Sequence, residues 1–333
     1  MELSRLFSDG SLVDIDISMW TGEKRLQPED LGIPKESVPK TFTLGSKKLL
    51  PKEVRSKFKN LDYEARKLLD SKSVSFPFGG ARFVPKKALV EFVQEMDKLQ
   101  QKFQKIVDDL IINYNKYKLD IRAEYVAAAH KAYDRLSQLK GFDKTRDEYI
   151  NEFLARVDTF YPNVDKIRDK YSMDYHVFQV ALPDITQATY EDIVSEQKKI
   201  DMMEKAFTSK INRKIEEFAQ NMIEEIRTKA ELVLAKVNDN MARGGRVSEA
   251  TLRMLRNMIS NYQSLNVIGD TVFENALLEF KKKYLDAYDA ESIRNSENIY
   301  KEMYQEIQKL TKLACDQSTI KALLDGYRNK VSV

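Results

Sequence analysis

Cysteine is nearly absent from this chain of 333 residues: Cys315 stands alone, which excludes an intramolecular disulfide and any zinc site built on cysteines. Histidine is almost as scarce, with His130 and His176 alone, so a multi-histidine metal site is nearly excluded as well. Charge of one sign is also lacking. The 55 Lys and Arg against 52 Asp and Glu leave a formal +3, unlike a protein coated with positive charge for nucleic acid. No run of about 18 apolar residues occurs, so no transmembrane helix is expected. The opening MELSRLFSDG lacks the apolar core of a secretory signal. A soluble cytoplasmic protein is the expectation, and 42% hydrophobic residues suffice for a buried core.

Glycine and proline are missing from whole regions. Six of eight prolines and six of eleven glycines fall in residues 1–85, whereas 86–140 and 184–243 contain neither and 246–325 contains Gly269 alone. Both residues break regular structure, so the pattern predicts a compact turn-rich head followed by long helices. In the head, Val13, Ile15, Ile17 and Met19 alternate with Asp14, Asp16 and Ser18, the period of a half-buried strand. Pro51 opens a helix with Val54, Phe58, Leu61, Ala65 and Leu68 on one face. The stretch SFPFGGARFVP (75–85) places Val74, Phe76 and Phe78, then Ala81, Phe83 and Val84, around Gly79 and Gly80, which predicts a β-hairpin.

Beyond the head, Leu89, Phe92, Met96, Leu99, Phe103, Ile106 and Leu110 recur at alternating steps of three and four, an a/d seam. A helix over 86–140 would be about 80 Å long and needs helical partners. Its expected partner is 190–243, where Ile200, Met203, Phe207, Ile211, Ile215, Phe218, Met222, Ile226, Ala230, Val233 and Val237 form a stripe. Between them, 142–189 reads as a tip insertion with a helix near 146–160 and a strand over 175–182; further helices are expected over 248–325. The predicted fold is mainly α: a long antiparallel coiled-coil-like hairpin with C-terminal helices (86–333), and a small α+β head (1–85).

Chemistry-bearing patterns are few. SFPFGGARFVP lacks the Lys followed by Ser or Thr of a phosphate loop, so Phe76, Phe78, Gly79, Gly80 and Phe83 are read as a structural corner that anchors the long helix to the head. The basic stretch 45–59 carries Lys47, Lys48, Lys52, Arg55, Lys57 and Lys59 against Glu53; of these, Lys47, Lys48, Lys52, Arg55 and Lys59 are candidate contacts for nucleic acid or another acidic partner. The segment around His130 carries Ala127 where a di-iron bundle needs a carboxylate, and reads as close helix packing. Asp109, Glu124, Glu216, Glu224 and Glu225 lie among cations at helical spacing and read as solvated faces. No catalytic, cofactor or metal-binding residues are assigned, and no enzyme activity is expected.

The ordered set Trp20-Thr21-Gly22, Pro28-Glu29-Asp30-Leu31-Gly32, Leu44-Gly45-Ser46-Lys47-Lys48 and the 75–85 stretch resembles an uncharacterised bacterial and phage family, catalogued as a domain of unknown function. The resemblance is specific over about residues 10–110. It implies a protein of phages and mobile elements, encoded in some cases near a MoxR-like AAA+ ATPase. The expected function is a non-enzymatic interaction or scaffold protein that engages a protein partner and self-assembles. The alternatives are a nucleic-acid-binding protein using 47–59, and a helical pore-forming or membrane-remodelling protein using the uncharged strand at 175–182, although a membrane partner is disfavoured. If 75–85 is a structural corner, Gly79→Val lowers the melting temperature; unchanged melting contradicts that reading.

Overall fold

The computed structural model describes residues 9–31, 33, 35–39, 41–76, 81–179 and 197–331, without the side chains of 29, 35, 197–216 and 326–331. The fold is mainly α with a small antiparallel sheet contributed largely by the N-terminal region. In chain order the strands are β1 (Gly10–Ser18), β2 (Glu23–Arg25), β3 (Ser46–Lys48), β4 (Val74–Ser75), β5 (Arg82–Pro85) and β6 (Ser172–Phe178). The helices are α1 (Lys52–Lys72), α2 (Lys86–Leu136), α3 (Arg146–Asp158), α4 (Gln197–Ala242), α5 (Glu249–Leu265), α6 (Thr271–Phe280), α7 (Ala290–Asn295), α8 (Glu297–Ala314) and α9 (Gln317–Val331). Contacts divide the chain into two compact units. A central unit comprises Ile15–Arg66 and Met96–Tyr175; a C-terminal unit comprises Met1–Asp14, Lys67–Glu95 and His176–Val333. The expected boundary at residue 85 falls inside the C-terminal unit, because β4 and β5 pair there with the first half of β1.

Four strands order as β4-β5-β1-β6, and β2 pairs β3 in a separate ladder. Gly10 faces Pro85 and Val13 faces Arg82 across β1 and β5, while Val74 faces Phe83 and Ser75 faces Arg82 across β4 and β5. The expected hairpin pairing is therefore present. Its connection runs over 76–81, longer than a two-residue Gly-Gly turn, and Pro77, Phe78, Gly79 and Gly80 lie outside the described residues. The alternation read in β1 holds, with Val13 and Ile15 buried and Asp14 and Asp16 exposed. β6 begins at Ser172 rather than 175, and residues 180–182 of the expected strand lie outside the described residues.

In the central unit the buried seam of α2 is Met96, Leu99, Phe103, Val107, Leu110 and Tyr114. Val107 stands where Ile106 was expected, because steps of three and four that include consecutive fours track the 3.6-residue period rather than 3.5. Phe58 of α1 meets Phe103 edge-on at 5.3 Å and Tyr171 at 4.6 Å. Farther along, Ala129 and Ala132 offer no bulk, so Tyr149, Phe153 and Val157 of α3 close onto them. A capping box between Thr145 and Glu148 starts α3.

The C-terminal unit is built around α4, whose buried face (Phe218, Met222, Ile226, Ala230, Leu234, Val237 and Met241) shares one core with α5, α6 and α8. Helix α6 runs into a π-helical turn over Lys281–Leu285 that buries Tyr284 and Leu285. Within the helices expected over 248–325, the run after residue 289 is broken into α7, α8 and α9. Ser296 ends α7 and caps α8 through the Ile299 N–H, and Asp316 accepts from Ser318 N–H before α9; such polar caps terminate helices without glycine or proline.

One charged side chain lies at the centre of this core. Arg227, 1% exposed, donates from Nε to Asp270 Oδ2 at 2.7 Å and from Nη1 to Leu313 O at 3.1 Å and Thr319 Oγ1 at 2.8 Å. Asp270 also accepts from Tyr262 OH at 2.7 Å and caps α6 through Phe273 N–H. Burial pushes the Asp270 carboxyl upward, but the hydrogen bonds from Arg227 and Tyr262 outweigh it and hold the carboxyl below its usual range. Burial beside Asp270 pushes the Tyr262 phenol up. Removing one member leaves the other charge buried and unpaired, so Asp270→Ala costs about 3–5 kcal/mol in denaturant unfolding. Because the folded Asp270 carboxyl is depressed, its stabilisation is complete above the ordinary carboxylate range and is lost only as pH falls through its lower folded value. An unchanged denaturation midpoint in Asp270→Ala contradicts this account.

Candidate functional site

The basic stretch and the loop before it fold together in the central unit. β2 pairs antiparallel with β3 in the register Glu23 to Lys48, Lys24 to Lys47 and Arg25 to Ser46. Successive strand residues face opposite sides, so Lys47 turns inward while Lys48 turns out. Lys47 is 3% exposed, with Nζ 2.6 Å from Asp30 Oδ2 and 4.7 Å from the centre of the Phe160 ring. Its contact with Asp30 is an ion pair without the direction of a hydrogen bond. Asp30 is equally buried; it accepts from Gln27 N–H at 2.8 Å, and its other oxygen takes Arg156 Nη2 at 3.2 Å. Lys47 therefore departs from the expected surface role and serves as an internal counterion.

The other cations divide. Lys48 and Arg55 each reach Glu23 at 2.6 Å, and Ser46 Oγ donates to it at 3.0 Å. The Lys48 hydrogen bond, against a smaller opposing effect of burial, holds the Glu23 carboxyl below its usual value. Lys52 and Lys59 are exposed on α1. No described geometry brings all five into one patch.

Between β2 and β3 the chain makes a closed loop. Leu26 N–H donates to Gly45 O at 3.1 Å across its neck, and Gly45 takes a left-handed φ of 81° that a side chain would strain. Short 3-10 turns at Pro28–Leu31 and Lys35–Ser37 form its walls. Pinned at its neck by the β2–β3 ladder and from inside by Asp30, the loop encloses a groove of about 620 Å³. Leu26, Pro28, Val38, Pro39, Phe42 and Leu44 supply an apolar lining, joined by Arg25, Gln27 and Glu36. Phe42 is 63% exposed. A concavity of this size, half open and lined by apolar and polar surface in nearly equal measure, has the dimensions of a binding site. Sequence reading passed over it: the loop prolines counted only toward a turn-rich head, Phe42 was not singled out, and closure depends on a backbone bond between Leu26 and Gly45.

The 75–85 corner sits in the C-terminal unit. Phe76 and Phe83 meet Phe218 of α4 edge-on at 5.3 and 5.5 Å, so these two rings pack on α4, where the expectation was that they anchor the long helix to the head. The Arg82 guanidinium is occupied by protein groups: it donates to Asp70 at 2.8 Å, Glu225 at 2.9 Å, Ser73 Oγ at 3.0 Å and Ser75 Oγ at 2.9 Å. Glu225, expected on a solvated face, also accepts from Ser75 N–H at 2.7 Å and pairs with Lys229 at 3.1 Å. Burial pushes its carboxyl up, and these bonds more than offset that push. Among the described residues no group of three or more His, Cys, Asp or Glu could hold a metal ion, and no helix is long and apolar enough to cross a membrane.

These features define a mainly helical protein class with an N-terminal loop groove. Residues 8–316 match the model of a family described as a protein of unknown function (DUF3150), and the chain belongs to that family. No curated protein and no solved structure matches it. If Lys47 is a counterion of buried Asp30, Lys47→Ala costs about 1–3 kcal/mol of unfolding free energy, since Arg156 still faces Asp30, while Lys59→Ala leaves the denaturation midpoint unchanged. Equal midpoints for the two variants contradict the assignment.

Proposed function

We propose that this chain is a non-enzymatic interaction protein of the cytoplasm that holds a protein partner at the groove between β2 and β3. The observation that carries the reading is the groove itself: a concavity with six apolar lining residues and Phe42 standing in water, on a loop tied at its neck and through Asp30. Loops held by a rigid scaffold are where binding residues concentrate, and an exposed aromatic in a pocket is the usual anchor of an interface. Origin on a phage or mobile element, a scaffold role and an AAA+ ATPase as the partner belong to this proposal through the resemblance of the head motifs. Self-assembly belongs to it through α2, where Ile112 and Leu119 stand exposed on one side two turns apart.

A second reading, nucleic-acid binding through α1, draws on exposed Lys52 and Lys59. It no longer includes Lys47. Affinity capture of the tagged full chain from its native cells, with and without nuclease, separates the two. The proposal expects a stoichiometric protein that survives nuclease and is lost with Phe42→Glu. Loss of every partner on nuclease treatment, or with Lys52→Glu and Lys59→Glu combined, overturns it in favour of the second reading.

A further inference from the structure

Three other places could bind something, and each is weaker than the groove. The cavity of about 210 Å³ lined by Ile226, Ala230, Val233, Met258 and Leu265 is smaller than common ligand sites. The cavity beside Arg227 and Cys315 also carries Glu224 and Glu231, which oppose the anion that an arginine would attract. Val177 and Phe178 of β6 are exposed, but residues 180–196 beyond them lie outside the described residues.

We infer that the occupant of the groove is an extended polypeptide segment of mixed charge, with proline or aliphatic side chains against Phe42 and the loop prolines. The inference rests on the reading above and names the kind of partner the site takes. Three observations support it. First, about 620 Å³ is the volume of a ligand a few side chains long, whereas two folded faces meet over about 800 Å² on each partner. Second, Pro28 and Pro39 line the groove and fix their own φ, so less backbone freedom is lost there when a segment binds. Grooves lined by proline-compatible apolar and aromatic residues take extended segments that are themselves pre-ordered.

The third observation is electrostatic. Arg25 and Glu36 both line the groove, both are exposed, and neither has an ion-pair partner among the described residues. A groove with one cation and one anion is neutral. Glu36 repels a phosphate backbone, and an acyl chain offers nothing to either charge. A polypeptide satisfies both, with an acidic residue for Arg25 and a basic one for Glu36.

The test selects a display library of linear peptides of about 12 residues on the full chain and measures enriched peptides by fluorescence anisotropy. The expected result is enrichment of proline- or leucine-containing peptides carrying both charge signs. Their affinity should fall at least about tenfold with Phe42→Glu and by a smaller factor with Arg25→Glu, while Lys59→Glu leaves it unchanged. Because Phe42 is exposed, Phe42→Glu should melt as the parent does; if it does not, Arg25→Glu and Glu36→Lys provide the same comparison. No enrichment over an unrelated protein, or enriched peptides indifferent to all three groove variants, overturns the inference. If capture of a folded partner remains sensitive to Phe42→Glu while no peptide binds, the proposed function stands and this inference falls. Concentration-dependent self-association abolished by Phe42→Glu overturns it in favour of a second copy of the chain.

Discussion

The buried Arg227 guanidinium is the constraint that the C-terminal unit must satisfy. A charge this far from water is costly unless it is paired, so α4 carries it to a point where the α6 cap, the end of α8 and the start of α9 meet its Nε and Nη1. Its Nη2 is buried without a hydrogen-bond partner among the described residues. Asp270 serves two ends at once, neutralising Arg227 and capping α6. Asn266 completes the turn by accepting from the Asp270 N–H at 2.8 Å. Apolar packing would allow these helices to slide; the angular demands of the guanidinium fix one arrangement.

The central unit uses the same device at smaller scale. Asp30 and Lys47 are buried together, and their pairing ties the loop to the strand that closes it. The groove wall is thereby tied by an internal ion pair as well as by Pro28 and Pro39, which leaves the Phe42 side chain free of that task. That separation of support from contact is what permits an apolar side chain to remain exposed in a stable loop.

The legible parts of the chain were those governed by local periodicity. The alternation in β1 and the start of α2 after Pro85 follow from residue spacing, and the structure places them at those residues; the glycine-free stretches mark where α2 and α4 lie. Contacts between distant residues could not be read that way. Arg227 lies 43 residues from Asp270 and 92 from Thr319, on a helix with charge around its circumference, and nothing local separates it from solvated neighbours. Lys47 was misjudged for a different reason. In a strand of three residues a single step reverses the face, and a run of lysines gives no sign of which one turns inward. The groove was hidden because its closure is a backbone bond, on which side-chain pattern is silent.

Hydrogen–deuterium exchange of the full chain, alone and with its captured partner, tests the central claim most directly. The account predicts new protection in residues 25–44, with the α1 segment around Lys52 and Lys59 unchanged. Protection confined to that α1 segment, or to β6, with exchange at 25–44 unaltered would contradict it.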